Sequence, residues 1–379
     1  MKITSLAAGG DGVARDDNGR VTFVPLTVPG DDVRVRFTKQ TKSFARGEID
    51  AIVTPSPERV SPPCKHFLEG CGGCQWQMAS RAAQLAAKQD IVANALRRVT
   101  TQIEPILAPA PDYGWRRRAR FHVEGNRVGL YQRGSNRLLP LATCPQLEPA
   151  LDRVLREIIA RGRHTPLPDG ELALLLGHRG EVVVAFEHPW RAAASLVGVE
   201  GIVGVLAEDT RYGTSEIAIE PDLIGNPWTF AQASAAGNAA LIEVVRRQLG
   251  RGPGTLLELF SGAGNFTRGF REDGWTVTPT DGAMLVTPPP GYIQGIAAEV
   301  LANLPGPYDA IVMDPPRAGA IESIDGILRH APKRIVYISC DPATLARDLE
   351  RLAYRVEHVQ PIDLMPQTSH VEVVVTLAR

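Results

Sequence analysis

Leu256-Leu-Glu-Leu-Phe-Ser-Gly-Ala-Gly-Asn-Phe-Thr267 joins an apolar stretch to a turn with two glycines and then to a helix candidate. Gly262 and Gly264 let the backbone approach a ligand closely, and the first turn of the helix offers unpaired N–H groups. From Asn238 onward, apolar strand candidates alternate with helix candidates. This alternation predicts a doubly wound α/β sheet, Rossmann-like in class, with its ligand at the carboxyl ends of the strands.

Two acidic residues narrow the kind of nucleotide that this turn would bind. Glu258 lies within the strand before the turn, and Asp281 follows about one strand and one helix later, in a position suited to ribose hydroxyl groups. A dinucleotide fingerprint would have a third glycine three residues after Gly264, where Thr267 stands. The combination resembles the cofactor site of class I methyltransferases, with a generic nucleotide-binding turn as the alternative.

Asp314-Pro-Pro-Arg-Ala-Gly follows the apolar strand candidate at 310–313. Its carboxylate is therefore expected at the carboxyl end of a strand, where open α/β sheets bind their ligands. Arg317 occupies the place where methylases of exocyclic amines usually have an aromatic residue, which argues against amine chemistry. A structural Pro-Pro turn is the alternative.

A lone cysteine, Cys340, follows the strand candidate at 334–339 and precedes a helix candidate that begins near Asp341. We expect the helix N-terminus to lower the pKa of its thiol and to favour the thiolate. Such a thiolate could act as a covalent nucleophile. Without its neighbours, a lone buried cysteine is an inert small hydrophobic residue.

The other four cysteines form a separate set. Together with Cys340 the cysteines number five, which is an odd total, and their local spacing is tight. Because we expect no secretory signal, this pattern indicates metal binding plus a free thiol rather than disulfides. Four thiolates fit an iron–sulfur cluster or a zinc ion. Only one Cys-x-x-Cys knuckle is present, and the spacing of radical-generating enzymes is absent. The predicted metal ligands are Cys64, Cys71, Cys74 and Cys144.

Charge and hydropathy are informative mainly through their distribution. The formal net charge is -1, which argues against nonspecific coating of nucleic acid, yet arginines cluster strongly between Arg116 and Arg137. These arginines, interleaved with aromatic residues, predict a phosphate-binding footprint, with a solvated sheet edge as the alternative. No apolar run approaches the roughly 20 residues that cross a bilayer. We therefore expect a cytoplasmic protein with no membrane contact and infer no obligate protein partner.

Residues 1–58 alternate apolar and polar positions between Gly and Pro turns, which predicts a small β-barrel. The stretches Gly10-Asp-Gly-Val-Ala-Arg and Pro29-Gly-Asp-Asp-Val resemble a TRAM domain, an OB-like barrel, for which RNA binding and a purely structural cap are both open. For residues 59–225 we predict a central α+β domain that contains the cysteine cluster and binds RNA. Residues 226–379 predict the cofactor-binding domain.

Essentially the whole chain resembles the RNA uracil-C5 methyltransferase family, which modifies tRNA and 23S rRNA. By this resemblance Cys340 adds to carbon 6 of uracil, Glu372 removes the carbon 5 proton, and Asp314 contacts the uracil or the cofactor. The resemblance implies S-adenosylmethionine and a [4Fe–4S] cluster, with zinc as the alternative. The implied cofactor-binding residues are Gln232, Phe260, Gly262, Gly264, Asp281 and Asp314.

The predicted fold is therefore α/β, with a C-terminal Rossmann-like class I methyltransferase domain preceded by a TRAM-like OB barrel and a central α+β domain with the cluster. The predicted function is methylation of carbon 5 of a uridine in RNA, in an rRNA rather than a tRNA loop. Three features depart from the family pattern. Ile296 stands where the family has an acid, Asp341 stands where it has Asn, and the segment from Asp281 to Ala297 is short and Pro-rich. They motivate an alternative, an RNA-binding or assembly protein with a degenerate methyltransferase domain.

Overall fold

The computed structural model describes residues 1–285 and 288–379. Its first five strands form one sheet in the order β1-β2-β3-β5-β4, with β3 and β5 parallel. Lys2 bridges to Asp32, so the start of the chain meets the start of β4 and the sheet closes on itself. Ile3, Ala14 and Val24 fill its interior. The strands are β1 (Ser5–Leu6), β2 (Gly12–Arg15), β3 (Val21–Val24), β4 (Asp32–Gln40) and β5 (Phe44–Thr54).

A second sheet of seven strands follows, in the order β12-β11-β10-β9-β6-β7-β8. Leu151, Val154, Leu155 and Ile158 of α3 pack on it, because their spacing places all four on one face of the helix. The elements are α1 (Lys65–Leu68), α2 (Arg81–Leu96), β6 (Arg118–Glu124), β7 (Arg127–Tyr131), β8 (Leu138–Pro140), α3 (Pro149–Gly162), β9 (Gly170–Leu176), β10 (Val182–Phe186), β11 (Ile202–Ala207) and β12 (Thr210–Gly213), followed by the hairpin β13 (Ile217–Glu220) and β14 (Leu223–Gly225).

The C-terminal sheet confirms the predicted doubly wound class. Its order is β17-β16-β15-β18-β19-β21-β20, in which β21 pairs antiparallel with β19 and with β20 and the other neighbouring strands pair in parallel. The elements are α4 (Ala235–Leu249), β15 (Gly254–Leu259), α5 (Thr267–Glu272), β16 (Trp275–Asp281), β17 (Ile293–Gln294), α6 (Ala297–Asn303), β18 (Ala310–Met313), α7 (Ile324–His330), β19 (Arg334–Ser339), α8 (Pro342–Leu352), β20 (Arg355–Ile362) and β21 (Glu372–Ala378).

Both faces of this sheet are buried, as expected for parallel strands covered by helices. Leu257 and Leu259 of β15 lie in one apolar cluster, whereas Leu256 lies in the cluster on the opposite face. Successive side chains of a strand point to opposite faces, so one strand contributes to both clusters.

Helix α2 lies within the predicted central domain, yet its buried face packs elsewhere. Val92 and Leu96 belong to the same apolar cluster as residues of β15, β18 and β19. The domain boundaries at 58 and 225 stay a prediction, but α2 already joins the cysteine region to the C-terminal sheet. Within residues 1–285 and 288–379, no helix is both long and apolar enough to cross a bilayer.

Candidate active site

The ends of β19 and β21 bring Cys340 and Glu372 together. Ser339, the last residue of β19, pairs with Val373 in an antiparallel register. Cys340 directly follows Ser339 and Glu372 directly precedes Val373, and the charge of Glu372 acts on the Cys340 thiol, so the two side chains lie close together. A thiol and a carboxyl group thus become neighbours at the ligand-binding edge of the sheet, although helix α8 and strand β20 separate them in the chain.

Asp314 adds a second carboxyl group at this edge, directly after β18. Burial raises the pKa of Asp314 to about 7. Burial, and then the charge of Asp314, raise the pKa of Glu372 well above its ordinary range. Two buried carboxyl groups that interact do not both ionise readily, so the pair retains a proton near neutral pH. A carboxylate with a raised pKa is also a stronger base.

The prediction that the helix N-terminus lowers the pKa of the Cys340 thiol is wrong. Burial, and then the charges of Glu372 and Asp314, raise this pKa to about 11. The positive charge of Arg317 lowers it, but not enough to offset them. The helix N-terminus serves another group, since the Asp341 side chain accepts hydrogen bonds from the N–H groups of residues 343 and 344, at 3.0 and 3.1 Å. The resting thiol is therefore protonated at neutral pH.

Arg317 is a site residue that the sequence reasoning did not assign. It is exposed, follows Asp314 on the same sheet edge, and its positive charge acts on Cys340 and on His370. Sequence reasoning used Arg317 only to argue against amine chemistry. Its place three positions after a carboxylate at a strand end was the available signal.

The glycine loop and Asp281 come together at the carboxyl ends of β15 and β16. Gly262 and Gly264 have positive φ angles of 51° and 94°, and Phe260 has one of 59°, which is uncommon for a residue with a side chain. The Gly262 N–H donates to Asp281 Oδ2 at 2.8 Å, and the Ala283 N–H donates to Oδ1 at 2.8 Å. The loop is therefore held in an open, ligand-ready turn.

Glu258 lies beneath this loop and is only 1% exposed. Its Oε2 accepts a hydrogen bond from the Thr267 hydroxyl at 2.6 Å. Its Oε1 has no hydrogen-bond partner among the residues that the structure describes. Burial is the main cause that raises the pKa of Glu258 to about 8. A buried acceptor without a partner next to an open loop fits the ammonium group of an amino-acid cofactor such as S-adenosylmethionine.

Comparisons with known proteins bear on the whole chain. The family model described as tRNA (Uracil-5-)-methyltransferase matches residues 306–379, and the TRAM domain model matches residues 1–49. The chain is 34% identical to an uncharacterized RNA methyltransferase of Gloeobacter violaceus, over 100% of this chain and 96% of the relative. It is 33% identical to the 23S rRNA (uracil(1939)-C(5))-methyltransferase RlmD of Thiobacillus denitrificans, over 100% and 99%.

This chain belongs to the RNA uracil-C5 methyltransferase family. The fold agrees with that of Pyrococcus abyssi tRNA (uracil-54, C5)-methyltransferase in complex with S-adenosyl-L-homocysteine, with a TM-score of 0.80, 22% identity and 100% of each chain covered. The alignment with the Gloeobacter relative extends over 443 positions, whereas this chain has 379 residues. The relative therefore carries segments that this family member lacks.

Gln232 precedes α4 at the junction with the central sheet. Its carbonyl oxygen accepts a hydrogen bond from Arg117 Nε at 3.1 Å, and Arg117 also pairs with Glu220. The predicted contact of its side chain with the cofactor stays a prediction. Ile296, exposed at the start of α6, occupies the place of the family's acid. In the Pro-rich segment before it, Val286 and Thr287 lie outside the described residues.

The four predicted metal-ligand cysteines line one cavity of about 140 Å³, and none forms a disulfide. Among the described residues, no three His, Cys, Asp or Glu side chains are placed so that they could hold a metal ion. The cavity is much larger than the roughly 10–15 Å³ that one water requires. It therefore has room for more than one atom, and four sulfur atoms are part of its lining.

The arginine-rich stretch is divided between structure and surface. Arg117 is buried and bonds to Glu220 and to the Ile219 carbonyl, so its predicted role as a phosphate contact is wrong. Arg120 is exposed, and Arg118 is partly exposed. They lie over the rings of Trp228 and Phe230, respectively. Arg118 and Arg120 of β6, with Trp228 and Phe230 from the segment between β14 and α4, form a cationic and aromatic surface, which we call the Arg118 face.

Proposed function

We propose that this chain methylates carbon 5 of a uridine in 23S rRNA, at the position that corresponds to uracil 1939 of its named relatives. The observation that carries the proposal is the proximity of Cys340 to Glu372 and Asp314 at the ends of β19, β21 and β18. An rRNA is favoured over a tRNA because a relative at 33% identity is named for 23S rRNA, whereas the tRNA enzyme of known structure is 22% identical.

The reaction uses the three active-site residues in sequence. Cys340, once deprotonated, adds to carbon 6 of uracil and creates an enolate whose carbon 5 is nucleophilic. S-adenosylmethionine supplies the methyl group to carbon 5. Glu372 then takes the carbon 5 proton, the C5–C6 double bond re-forms, the C6–S bond breaks, and the thiolate leaves. Burial, and then the charge of Asp314, keep the pKa of Glu372 high, so that its ionised form is a strong base.

The cofactor would lie between the glycine loop and Asp281. Gly262 and Gly264 leave room for the close approach of its amino-acid end, Asp281 faces its ribose, and the unpartnered Glu258 oxygen accepts from its ammonium group. A neutral Glu258 in the free protein would then release its proton when the cationic group binds. Calorimetry with S-adenosylmethionine in two buffers of different ionisation enthalpy measures that proton release.

We further propose that Cys64, Cys71, Cys74 and Cys144 hold a [4Fe–4S] cluster. The support is the shared cavity and its all-sulfur donor set. Anaerobic purification followed by elemental analysis should find iron and acid-labile sulfide, with about four of each per chain. Zinc at one per chain with no iron would replace this proposal by a mononuclear site.

We place the reaction in the cytoplasm and the RNA on the Arg118 face. Because the target carbon is inaccessible in a stacked helix, the uridine would have to leave the stack to reach Cys340. A 2-aminopurine neighbour in the RNA should then become more fluorescent when the protein binds. An unchanged signal would count against base flipping.

The direct test compares ribonucleosides from 23S rRNA and tRNA of cells with and without the protein. Loss of 5-methyluridine from one 23S position supports the proposal, and loss from tRNA alone would reassign the substrate. Purified enzyme should also form a covalent adduct with RNA that carries 5-fluorouracil, and Cys340→Ala should not. Intact RNA binding without S-adenosylmethionine binding would instead support the degenerate assembly protein.

A further inference from the structure

The segment that leads into Glu372 is held by a distant part of the chain. Residues 363–371 connect β20 to β21, and Glu372 is the first residue of β21. The N–H groups of Gln75 and Trp76, directly after the metal-ligand candidate Cys74, both donate to the carbonyl oxygen of Gln367, at 3.0 and 3.1 Å. The loop that carries the cysteines therefore touches the loop that carries the base.

The side chain of Gln84 in α2 makes two further hydrogen bonds to Gln367. Its Nε2 donates to Gln367 Oε1 at 2.9 Å, and its Oε1 accepts from the Gln367 N–H at 3.0 Å. Both glutamines are buried. Gln367 has a positive φ of 66°, a conformation that costs free energy in a residue with a side chain and persists only where the surroundings impose it.

Further contacts continue on both sides of Gln367. Thr368 lines the same cavity as the four cysteines, so the metal site and the base loop share a wall. The Ser369 N–H approaches Gln75 Oε1 at 3.4 Å. At the other end of the segment, the buried Lys88 of α2 pairs with Asp363.

Simple attachment of α2 would need only apolar contacts, which Val92 and Leu96 already provide. A buried polar network adds something else, because each of its groups is costly unless all its partners stand in one geometry. Such a network fixes the position of a segment more narrowly than apolar packing does. Here the segment that is fixed ends on the base.

We propose that Gln84 and the segment from Cys74 to Trp76 are positioning elements for Glu372, and that they transmit the state of the cysteine site to the proton-abstraction step. This inference rests on the proposed function of Glu372. When the hydrogen bonds to Gln367 are lost, the thiolate still adds to carbon 6 and the methyl group still reaches carbon 5. Removal of the carbon 5 proton, and with it cleavage of the C6–S bond, becomes slow.

The test variant is Gln84→Met, which keeps the length of the side chain and removes its hydrogen bonds to Gln367 and to the carbonyls of Trp76 and Ala79. Gln89→Met is the matched control, since Gln89 lies on the same helix and donates only to the Glu104 carbonyl. With ordinary uridine RNA, Gln84→Met should form the covalent adduct at the normal rate and resolve it roughly tenfold more slowly, as expected for the loss of buried hydrogen bonds. The control should match the unmodified enzyme.

Hydrogen exchange supplies a readout that does not depend on activity. In the metal-loaded protein, amides of residues 367–372 should exchange roughly tenfold faster in Gln84→Met than in Gln89→Met. Gln75→Ala is a milder change at a partly exposed residue and should act in the same direction. It keeps the proposal testable if Gln84→Met does not fold. Cys144→Ala alters the metal site at the cysteine that is far from Gln75 in the chain. It should accelerate hydrogen exchange at the same amides.

Two outcomes would overturn the inference: unchanged exchange in residues 367–372 in all three variants, or equal slowing of adduct formation and adduct resolution in Gln84→Met. The failure of the proposed function is distinguishable from either. In that case the unmodified enzyme forms no adduct at all, while the exchange experiment still reports on the contact between the two loops.

Discussion

Cys340 lies among two carboxyl groups and one guanidinium group, and this balance sets how it reacts. Because its pKa is raised to about 11, alkylation of Cys340 by iodoacetamide without RNA should accelerate roughly tenfold per pH unit from pH 7 to 10. Arg317→Met removes the cation and should raise the pKa further, so its alkylation at pH 9 should be slower. Peptide mass spectrometry measures both.

Arg329→Met, a change at an exposed arginine of α7, is the control and should leave that rate unaltered. Alkylation of Cys340 that is already complete and pH-independent at pH 7 would contradict the raised pKa. It would also restore the helix N-terminus as the activating group.

Glu258 makes the stability of the cofactor-free protein depend on pH. Its folded-state pKa of about 8 lies above the ordinary value of 4.5, so the folded state binds more protons between these values and loses stability as pH rises through that window. The full effect is on the order of 5 kcal/mol. Glu258→Gln should therefore be more stable than the unmodified protein at pH 8, with a smaller difference at pH 5, in urea unfolding.

A similar pH dependence in both proteins would show that Glu258 is already ionised when folded. Thr267→Val is a useful companion variant, because it removes the one hydrogen bond that favours the ionised form. It should steepen the loss of stability with pH.

At the scale of single elements, the N-terminus of α8 depends on Asp341. Replacing Asp341 by Ala removes two side-chain hydrogen bonds and should lower the free energy of unfolding by about 1 kcal/mol. Asp341→Asn retains a capping side chain and should cost only a few tenths of that amount. Thermal unfolding of both variants at one pH checks the difference, and equal losses would mean that capping is not the role of Asp341.

Strand β6 carries Arg118 and Arg120, and the buried Arg117 directly precedes it. Arg118→Ala and Arg120→Ala should each weaken RNA binding and reduce the slope of log Kd against log salt by about 1, as for a lost phosphate contact. Arg117→Ala should instead lower stability, because it leaves Glu220 without its partner. Arg153→Ala on α3 is the control. Salt titrations with unchanged slopes for Arg118 and Arg120 would remove the RNA from this face.

At the scale of the whole molecule, α2 binds the regions together. Leu96→Ala should destabilise the protein by about 2–5 kcal/mol through the cavity it leaves, and the loss should be felt by amides of β15 and β18 in the C-terminal sheet. Leu68→Ala is the matched control, since Leu68 is 70% exposed and should change stability little. A Leu96→Ala effect confined to residues before 225 would show that α2 is not part of the C-terminal core.

Local sequence was sufficient wherever the signal was contained in neighbouring residues. The glycine turn, the strand that carries Glu258 and the start of α8 near Asp341 are short-range patterns, and the structure has each of them. Arg317 was not assigned, and Glu258 was recognised only as part of the cofactor motif, because their roles depend on tertiary neighbours. The charge of Arg317 acts on Cys340, and one oxygen of Glu258 is left without a partner among the described residues.

The sequence by itself determined the doubly wound class, because the periodicity of strands and helices is contained in neighbouring residues, and its family resemblance indicated the TRAM-type barrel and the candidate reactive side chains. Only the tertiary structure decided that Cys340 faces Glu372, that its thiol is protonated at rest, and that Asp341 rather than the thiol uses the helix N-terminus. It also decided that Gln84 and Gln75 hold the loop of the base. These features follow from strand register and from burial, which depend on how segments far apart in the chain pack together.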